Sequence, residues 1–350
     1  MNPILVEQIA RATLYEGYML YPYRPSSVKN QQRFNFGVLY PRSYSDAQGG
    51  ADAYSIQTEC LLRSNGAGTL EVRLRFLHLV QRQIGQLAAP VLELNQDALD
   101  FQPVESLTIG DQIFQTWQEA VEAEVRAPIF RLSELEKIPQ LVPFSLSSKR
   151  GVEAIRDNSG LAVGVIVREQ QRVTGTIEIS AHREGELTRV TVVALNQTPL
   201  ETPSATTRDE ALLRSTVSTH TILGVADAEF ISLLDPPEQF RAAAAGCRNI
   251  GAWPVLVGDD GERDTMLSSP IILYDYPEIA PESAGELFDG TEIDEILTLR
   301  IMTLTDDEKR EMRSGDERAR KILERTESLP VEQFMKMHGA MRGLKRAAKE

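Results

Sequence analysis

The chain has little of what soft-metal or redox chemistry needs. Its 350 residues include two cysteines, Cys60 and Cys247, and four histidines, His78, His182, His220 and His338. The cysteines lie far apart and have no CxxC companion, so neither a disulfide framework nor a zinc knuckle is expected. Each reads as a small buried hydrophobe. No two histidines stand three or four apart, and no HExxH run is present, so no metal site is expected on them. The phosphate-cradling GxxxxGKS/T loop, a GxGxxG after a strand and a GxSxG elbow are all missing. No cofactor is expected.

Long apolar runs are also missing. Nothing approaches the roughly 18 residues that span a bilayer as a helix. The opening Met1-Asn2-Pro3-Ile4-Leu5-Val6-Glu7 has neither a basic n-region nor a long apolar core, and the expectation is a cytoplasmic protein. Net charge is −14, which sets nucleic acid aside as the main partner, because duplex binding needs a basic field.

What is present is charge laid out in blocks. Residues 225–308 hold 19 Asp/Glu against 4 Lys/Arg, and residues 309–350 hold 12 Lys/Arg against 7 Asp/Glu. An acidic block followed by a basic, helical tail points to a surface that meets another macromolecule.

The periodicities predict an α+β protein: an antiparallel β-sandwich-like domain over 1–205, then a mixed domain over 206–350 ending in two helices. The two are free to share one core. A short helix is predicted over 3–14, and strands over 34–40 and 54–62. Ser64-Asn65-Gly66-Ala67-Gly68 reads as a turn, and the alternation of Leu70, Val72, Leu74 and Phe76 with Glu71, Arg73 and Arg75 as the return strand of a hairpin. Trp117, Val121 and Val125 stand at i, i+4, i+8 and predict a helix over 115–126. Strands are predicted over 161–167, 173–179 and 187–195, and residues 198–208 read as a linker. Asp235 reads as the N-cap of a helix running through Phe240 and the alanines to Gly246. Short strands are predicted over 253–257 and 270–274. Residues 291–302 favour a helix. Thr305-Asp306-Asp307-Glu308 matches a capping box opening a helix that runs to about 326, loosened at Ser314-Gly315. A last helix from Pro330 carries Phe334, Met337, Met341 and Leu344 on one stripe.

Three surfaces qualify for partner binding. The first is the proline-framed loop with Tyr21, Tyr23, Arg24, Lys29 and Asn30, rigid aromatics and a guanidinium of the kind interfaces use as anchors. The second is the acidic region, with Arg263, Asp264, Asp275 and Tyr276. The third is the tail stripe of Phe334, Met337 and Met341, suited to docking on the parent fold or in a partner's groove. Each has a bland counterpart: tyrosines packed over a sheet end, a solvated turn, a helix docked on its own domain.

Three segments carry a resemblance. They are Tyr21-Pro22-Tyr23-Arg24-Pro25-Ser26-Ser27-Val28-Lys29-Asn30; Arg263-Asp264-Thr265-Met266-Leu267-Ser268-Ser269-Pro270-Ile271-Ile272-Leu273-Tyr274-Asp275-Tyr276-Pro277; and Phe288-Asp289-Gly290-Thr291-Glu292-Ile293-Asp294-Glu295-Ile296-Leu297. The chain resembles, over most of its length, an uncharacterised bacterial family encoded beside NiFe-hydrogenase genes. The resemblance implies an accessory role in assembly, maturation or scaffolding, and a hydrogenase subunit or maturation factor as partner. It brings no catalytic residues. Two alternatives stay open: a metal-dependent hydrolase using Asp259, Asp260, Asp264 and Asp275, and a structural subunit that self-associates through the tail helix.

Overall fold

The architecture hangs on one very long strand. In the computed structural model, residues 3–16, 18, 35–95, 99–278, 300–315 and 317–330 are described. Strand β1, Ser55–Val91, is 37 residues long. It is followed by β2 (Gln102–Val104), β3 (Ser106–Ile109), β4 (Gln112–Gln115), β5 (Trp117–Arg126) and β6 (Phe130–Arg131). Next come β7 (Gln140–Leu146), β8 (Lys149–Arg156), β9 (Ala162–Gln170), β10 (Val173–Glu184) and β11 (Leu187–Asn196). The last three are β12 (Thr216–Ile231), β13 (Trp253–Leu256) and β14 (Thr265–Ser269). The helices are α1 (Pro3–Leu14), α2 (Arg42–Ala47), α3 (Leu132–Leu135), α4 (Arg208–Leu212), α5 (Arg241–Ala245), α6 (Asp306–Ser314) and α7 (Glu317–Glu327).

Twelve strands form one antiparallel sheet, with main order β13-β14-β12-β1-β11-β10-β7; β3 and β4 make a separate hairpin. Along one edge β1 pairs in turn with β11, β6, β5 and β2, and along the other with β12 and β9. The sheet runs across residue 205, because β12 pairs with β1 from Leu61↔Ile231 to His78↔Thr216.

Alternation along β1 decides which side chain goes where. Ile56, Cys60, Leu62, Leu70, Val72, Leu74 and Phe76 point into one large core with Val190 and Val192 of β11, Leu223 of β12 and Leu132 of α3. The sheet curls until Phe144 of β7 faces Phe76, ring centroids 6.3 Å apart. The other face of β1 carries Leu77 and Leu79, covered by Tyr15 and by Met312, Ile322 and Leu323 of α6 and α7. Helix α1 lays Val6, Ile9 and Ala10 on Ile222, Val255 and Leu267. The class is α+β, as the sequence predicts, with the last two described helices near the C-terminal end.

Several local expectations need correcting. The predicted hairpin at Gly66–Gly68 is not a turn, for β1 continues through it. A Cβ on Gly68 would stand 2.6 Å from Ser64 Oγ, so this glycine serves close packing where β1 shifts register against β12. Residues 117–126 form a strand, not a helix. Trp117, Val121 and Val125 share parity as well as helical spacing, and Ala123 completes an alternating face. Of the segment 34–40, residues 35–40 contribute only an isolated bridge, Leu39↔Thr216. The strand expected at 270–274 lies one step earlier, at β14, and ends before Pro270. Asp235 caps no helix: a 3-10 turn at Glu238–Phe240 leads into the five residues of α5. The 198–208 stretch carries a short 3-10 turn, and Thr207 then caps α4 with a reciprocal Thr207–Glu210 box.

Where β7, β10 and β11 meet, Gly175 has no room for a side chain. A Cβ there would lie 2.2 Å from the Leu195 carbonyl oxygen and 2.4 Å from Phe144 Cζ. Gly175→Ala is expected to destabilise the fold by about 2 kcal/mol through overpacking, read as a lower melting temperature. A melting temperature equal to the parent's would contradict this packing.

Candidate functional site

Of the twelve side chains singled out above, four lie within the described residues. Tyr21, Tyr23, Arg24, Lys29 and Asn30, and likewise Phe334, Met337 and Met341, fall outside them, as does most of the predicted 291–302 helix. Arg263, Asp264, Asp275 and Tyr276 sit on either side of β14 and are drawn into one face. The Tyr276 hydroxyl donates to the Glu262 carbonyl oxygen at 3.0 Å, tying segment 274–278 to loop 258–264. The Tyr276 amide donates to the Leu256 carbonyl at 2.8 Å, and the backbone at Tyr276 takes φ 54°, a left-handed kink that aims its ring back at the loop.

Each carboxylate has a distinct role. Asp275 accepts from the Leu256 amide at 2.8 Å and from the Ser232 hydroxyl, so both its oxygens staple backbone segments together. Asp264 accepts from the Thr265 hydroxyl at 2.7 Å, while its carbonyl takes the Val225 amide. The Arg263 carbonyl takes the Phe230 amide at 2.7 Å, leaving the exposed guanidinium outward. Burial raises the Tyr276 phenol above its ordinary pKa, with Asp275 and Asp260 acting the same way and Arg263 opposing. Asp259, Asp260 and Glu262 are exposed, and Tyr274 is 85% exposed. The result is a pinned acidic surface bearing an outward phenol. Among the described residues no group of three or more His, Cys, Asp or Glu side chains converges on a common point.

Two of the described histidines and Cys60 are packed away, while His182 is exposed and Cys247 half-buried. His220 is fully buried, with Nδ1 2.7 Å from the Ser218 carbonyl and Nε2 3.1 Å from both Ser269 Oγ and Thr13 Oγ1. A bond to a carbonyl requires the proton on Nδ1, so Nε2 accepts. The Ser269–His220 pair resembles a nucleophile and base, but Ser269 is also fully buried and is out of a substrate's reach. His78 is buried beside Gln170, 2.9 Å from its Nδ1. Burial lowers both imidazoles to about 4. Burial pushes the Cys60 thiol far up and the Cys247 thiol to about 11, the latter despite Arg189 at 3.0 Å.

Sequence reasoning missed a group of arginines between the sheet and the α6–α7 elbow. Arg82 of β1 and Arg168 of β9 line a cleft together with Arg310, Arg313, Arg318 and Arg320 of the two helices. Beside it lies an ion-pair cluster around the buried Arg75. Arg75 pairs with Glu7 of α1 and, at 2.7 Å, with Glu122 of β5. Glu122 also accepts from the Tyr15 hydroxyl at 3.0 Å and meets Arg318 at 3.4 Å. Arg318 in turn lies over the Tyr15 ring, 4.1 Å from its centroid.

Fold and site together define an α+β protein built on a curled antiparallel sheet, with polar clusters that tie helices and loops to that sheet. The chain matches no family model and no curated protein. No helix among the described residues is long and apolar enough to cross a membrane.

Proposed function

We propose that this chain is a non-catalytic accessory protein that acts by binding another protein through the acidic face around residues 259–264 and 274–278. The observation that carries this reading is the stapling of that face by Tyr276 and Asp275, which leaves Asp259, Asp260, Glu262 and Tyr274 presented on a fixed backbone. A surface ordered before binding loses less entropy on association. Exposed tyrosines are common interface anchors, and charged residues common in the rim around them. The complementary partner carries a basic patch with an apolar slot. The resemblance of residues 263–277 to the family encoded beside NiFe-hydrogenase genes supports a hydrogenase subunit or maturation factor as that partner, in the cytoplasm, in an assembly, maturation or scaffolding step.

Co-purification from native cells tests this. The tagged full chain is expected to retain a hydrogenase subunit or maturation factor, with recovery falling as salt rises. The double substitution Asp259→Lys with Asp260→Lys, and separately Tyr274→Ala, are each expected to reduce recovery roughly tenfold or more while leaving the melting temperature unchanged. Equal recovery with all three substitutions would remove the acidic face from the reading. Recovery of the chain alone, with hydrogenase abundant, would remove the partner.

A further inference from the structure

The arginine-lined cleft shares no residue with the acidic face and encloses about 930 Å³. That is the size of a small-molecule pocket. Among the described residues its six lining arginines face four lining carboxylates, Asp111, Glu119, Glu122 and Glu317, in a chain of net charge −14. Among the described residues every cation in the lining is arginine and none is lysine. Arginine's planar fork takes phosphate or carboxylate oxygens two at a time, which a lysine does not. Ile113 and Phe114 of β4 add an apolar wall.

Arg82, in the cleft lining, is the unusual member. It is 5% exposed, yet its Nη1 contacts are all long: 3.4 Å to Glu119, 3.3 Å to the Ser314 carbonyl and 3.4 Å to the Gly315 carbonyl. Glu119 accepts its shorter bond, 2.8 Å, from Arg168. The buried Arg82 Nε has no hydrogen-bond partner at all. A buried guanidinium this poorly satisfied is a cost to the fold unless something else meets it. Three of the four helix arginines hold surface partners, and the fourth, Arg318, is engaged with Glu122 and the Tyr15 ring. Arg310 pairs with Asp307, Arg313 with Glu327 and Arg320 with Glu324, each pair with both side chains at least one-third exposed. Such exposed pairs contribute about 0–1 kcal/mol each and give way readily to a stronger anion.

We propose that this cleft is a binding site for a small organic polyanion of about nucleotide size, bearing phosphate or carboxylate groups, with Arg82 meeting one oxyanion group and the α6–α7 arginines the others. Phosphate esters and polycarboxylates present the same oxygen pairs, and the probes below separate them. The bound anion bridges sheet and helices, so binding also tightens the α6–α7 elbow.

Titration calorimetry on the full chain at low ionic strength, with pyrophosphate, ADP and citrate in separate runs, tests the site. At least one probe is expected to bind with a Kd below about 1 mM. ADP tighter than pyrophosphate assigns the apolar wall to an organic group, and citrate alone assigns a polycarboxylate. Arg82→Gln is expected to weaken binding tenfold or more, and Arg313→Gln roughly threefold, on the scale of one charge-assisted hydrogen bond lost. Arg313 is at the surface, so its variant keeps the test sharp if Arg82→Gln fails to fold. No heat from any probe at roughly 5 mM, or affinity unchanged in a folded Arg82→Gln or in Arg313→Gln, overturns the proposal.

Discussion

Acidification from about pH 7 to about pH 4 is expected to cost this protein on the order of 6 kcal/mol of folding free energy, about 3 from each buried histidine. His78 and His220 are held neutral in the fold because burial lowers their pKa to about 4. In the unfolded chain each titrates near 6.5. Between those values the unfolded state binds protons that the folded state refuses, so stability is complete above the unfolded value and drains away as pH falls toward the folded one. A loss of this size is comparable to the whole stability of an ordinary domain. Urea midpoints measured at steps across this range should fall continuously, and His220→Gln should flatten the slope by up to one proton. A midpoint that stays level down to pH of about 5 would show that the imidazoles find solvent or a counter-charge, contrary to their burial.

Removing the Glu122 carboxylate should be the most damaging single substitution at the α1–α7 junction. Glu122→Ala leaves Arg75, whose side chain is 7% exposed, with the half-exposed Glu7 in place of its 2.7 Å partner, and takes away the acceptor of the Tyr15 hydroxyl and a counter-charge of Arg318. Breaking a buried ion pair from one side costs about 3 kcal/mol or more. Undocking should follow, since Glu122 links the end of α1, through Tyr15, to α7, through Arg318. Glu122→Gln keeps the shape and a weaker acceptor and should recover part of the loss. Burial pushes the Glu122 pKa up, but hydrogen bonds from Arg75 and Tyr15 with the charges of Arg75 and Arg318 outweigh it, and the net pKa is lowered. Its contribution is therefore present above the ordinary glutamate value and is lost as pH falls through the lowered one. Chemical denaturation of parent, Ala and Gln forms at neutral pH gives the ranking. An Ala form as stable as the parent would mean that Arg75 is content with Glu7 alone.

Much of the scaffold was readable from local chemistry. The Thr305–Glu308 box opens α6 as its spacing requires, and the loosening at Ser314-Gly315 is a real break between α6 and α7. Helix α1 and strands β10 and β11 also follow their periodicities. Failures came where one pattern serves two structures. Apolar residues four apart satisfy a helix and also one face of a strand, and β5 resolved that ambiguity through its pairing with residues 73–82 of β1. Glycines mark turns and close approaches alike, and only the crowding of Ser64 on Gly68 tells them apart. The acidic face was partly legible, since Asp264 and Tyr276 lie in one short stretch. The arginine cleft was not, because Arg82 and Arg168 come together only through the register of β1 against β9, and Arg318 joins them only when α7 docks on the sheet. Its one local signal was the set of arginines at 310, 313, 318 and 320 on both sides of the Gly315 break.

The length of β1 bears on how the chain is made. Residues 55–68 of β1 find their partner strands only in β11 and β12, the latter ending at Ile231, about 140 residues after Val91. At ribosomal speed of roughly 5–20 residues per second, that leaves an apolar ribbon with open edges waiting for about 7–28 seconds. Nascent chains in that state invite sticking to one another. A chaperone that cradles extended apolar stretches would therefore be needed at birth, and slowed translation would lower the yield of soluble product.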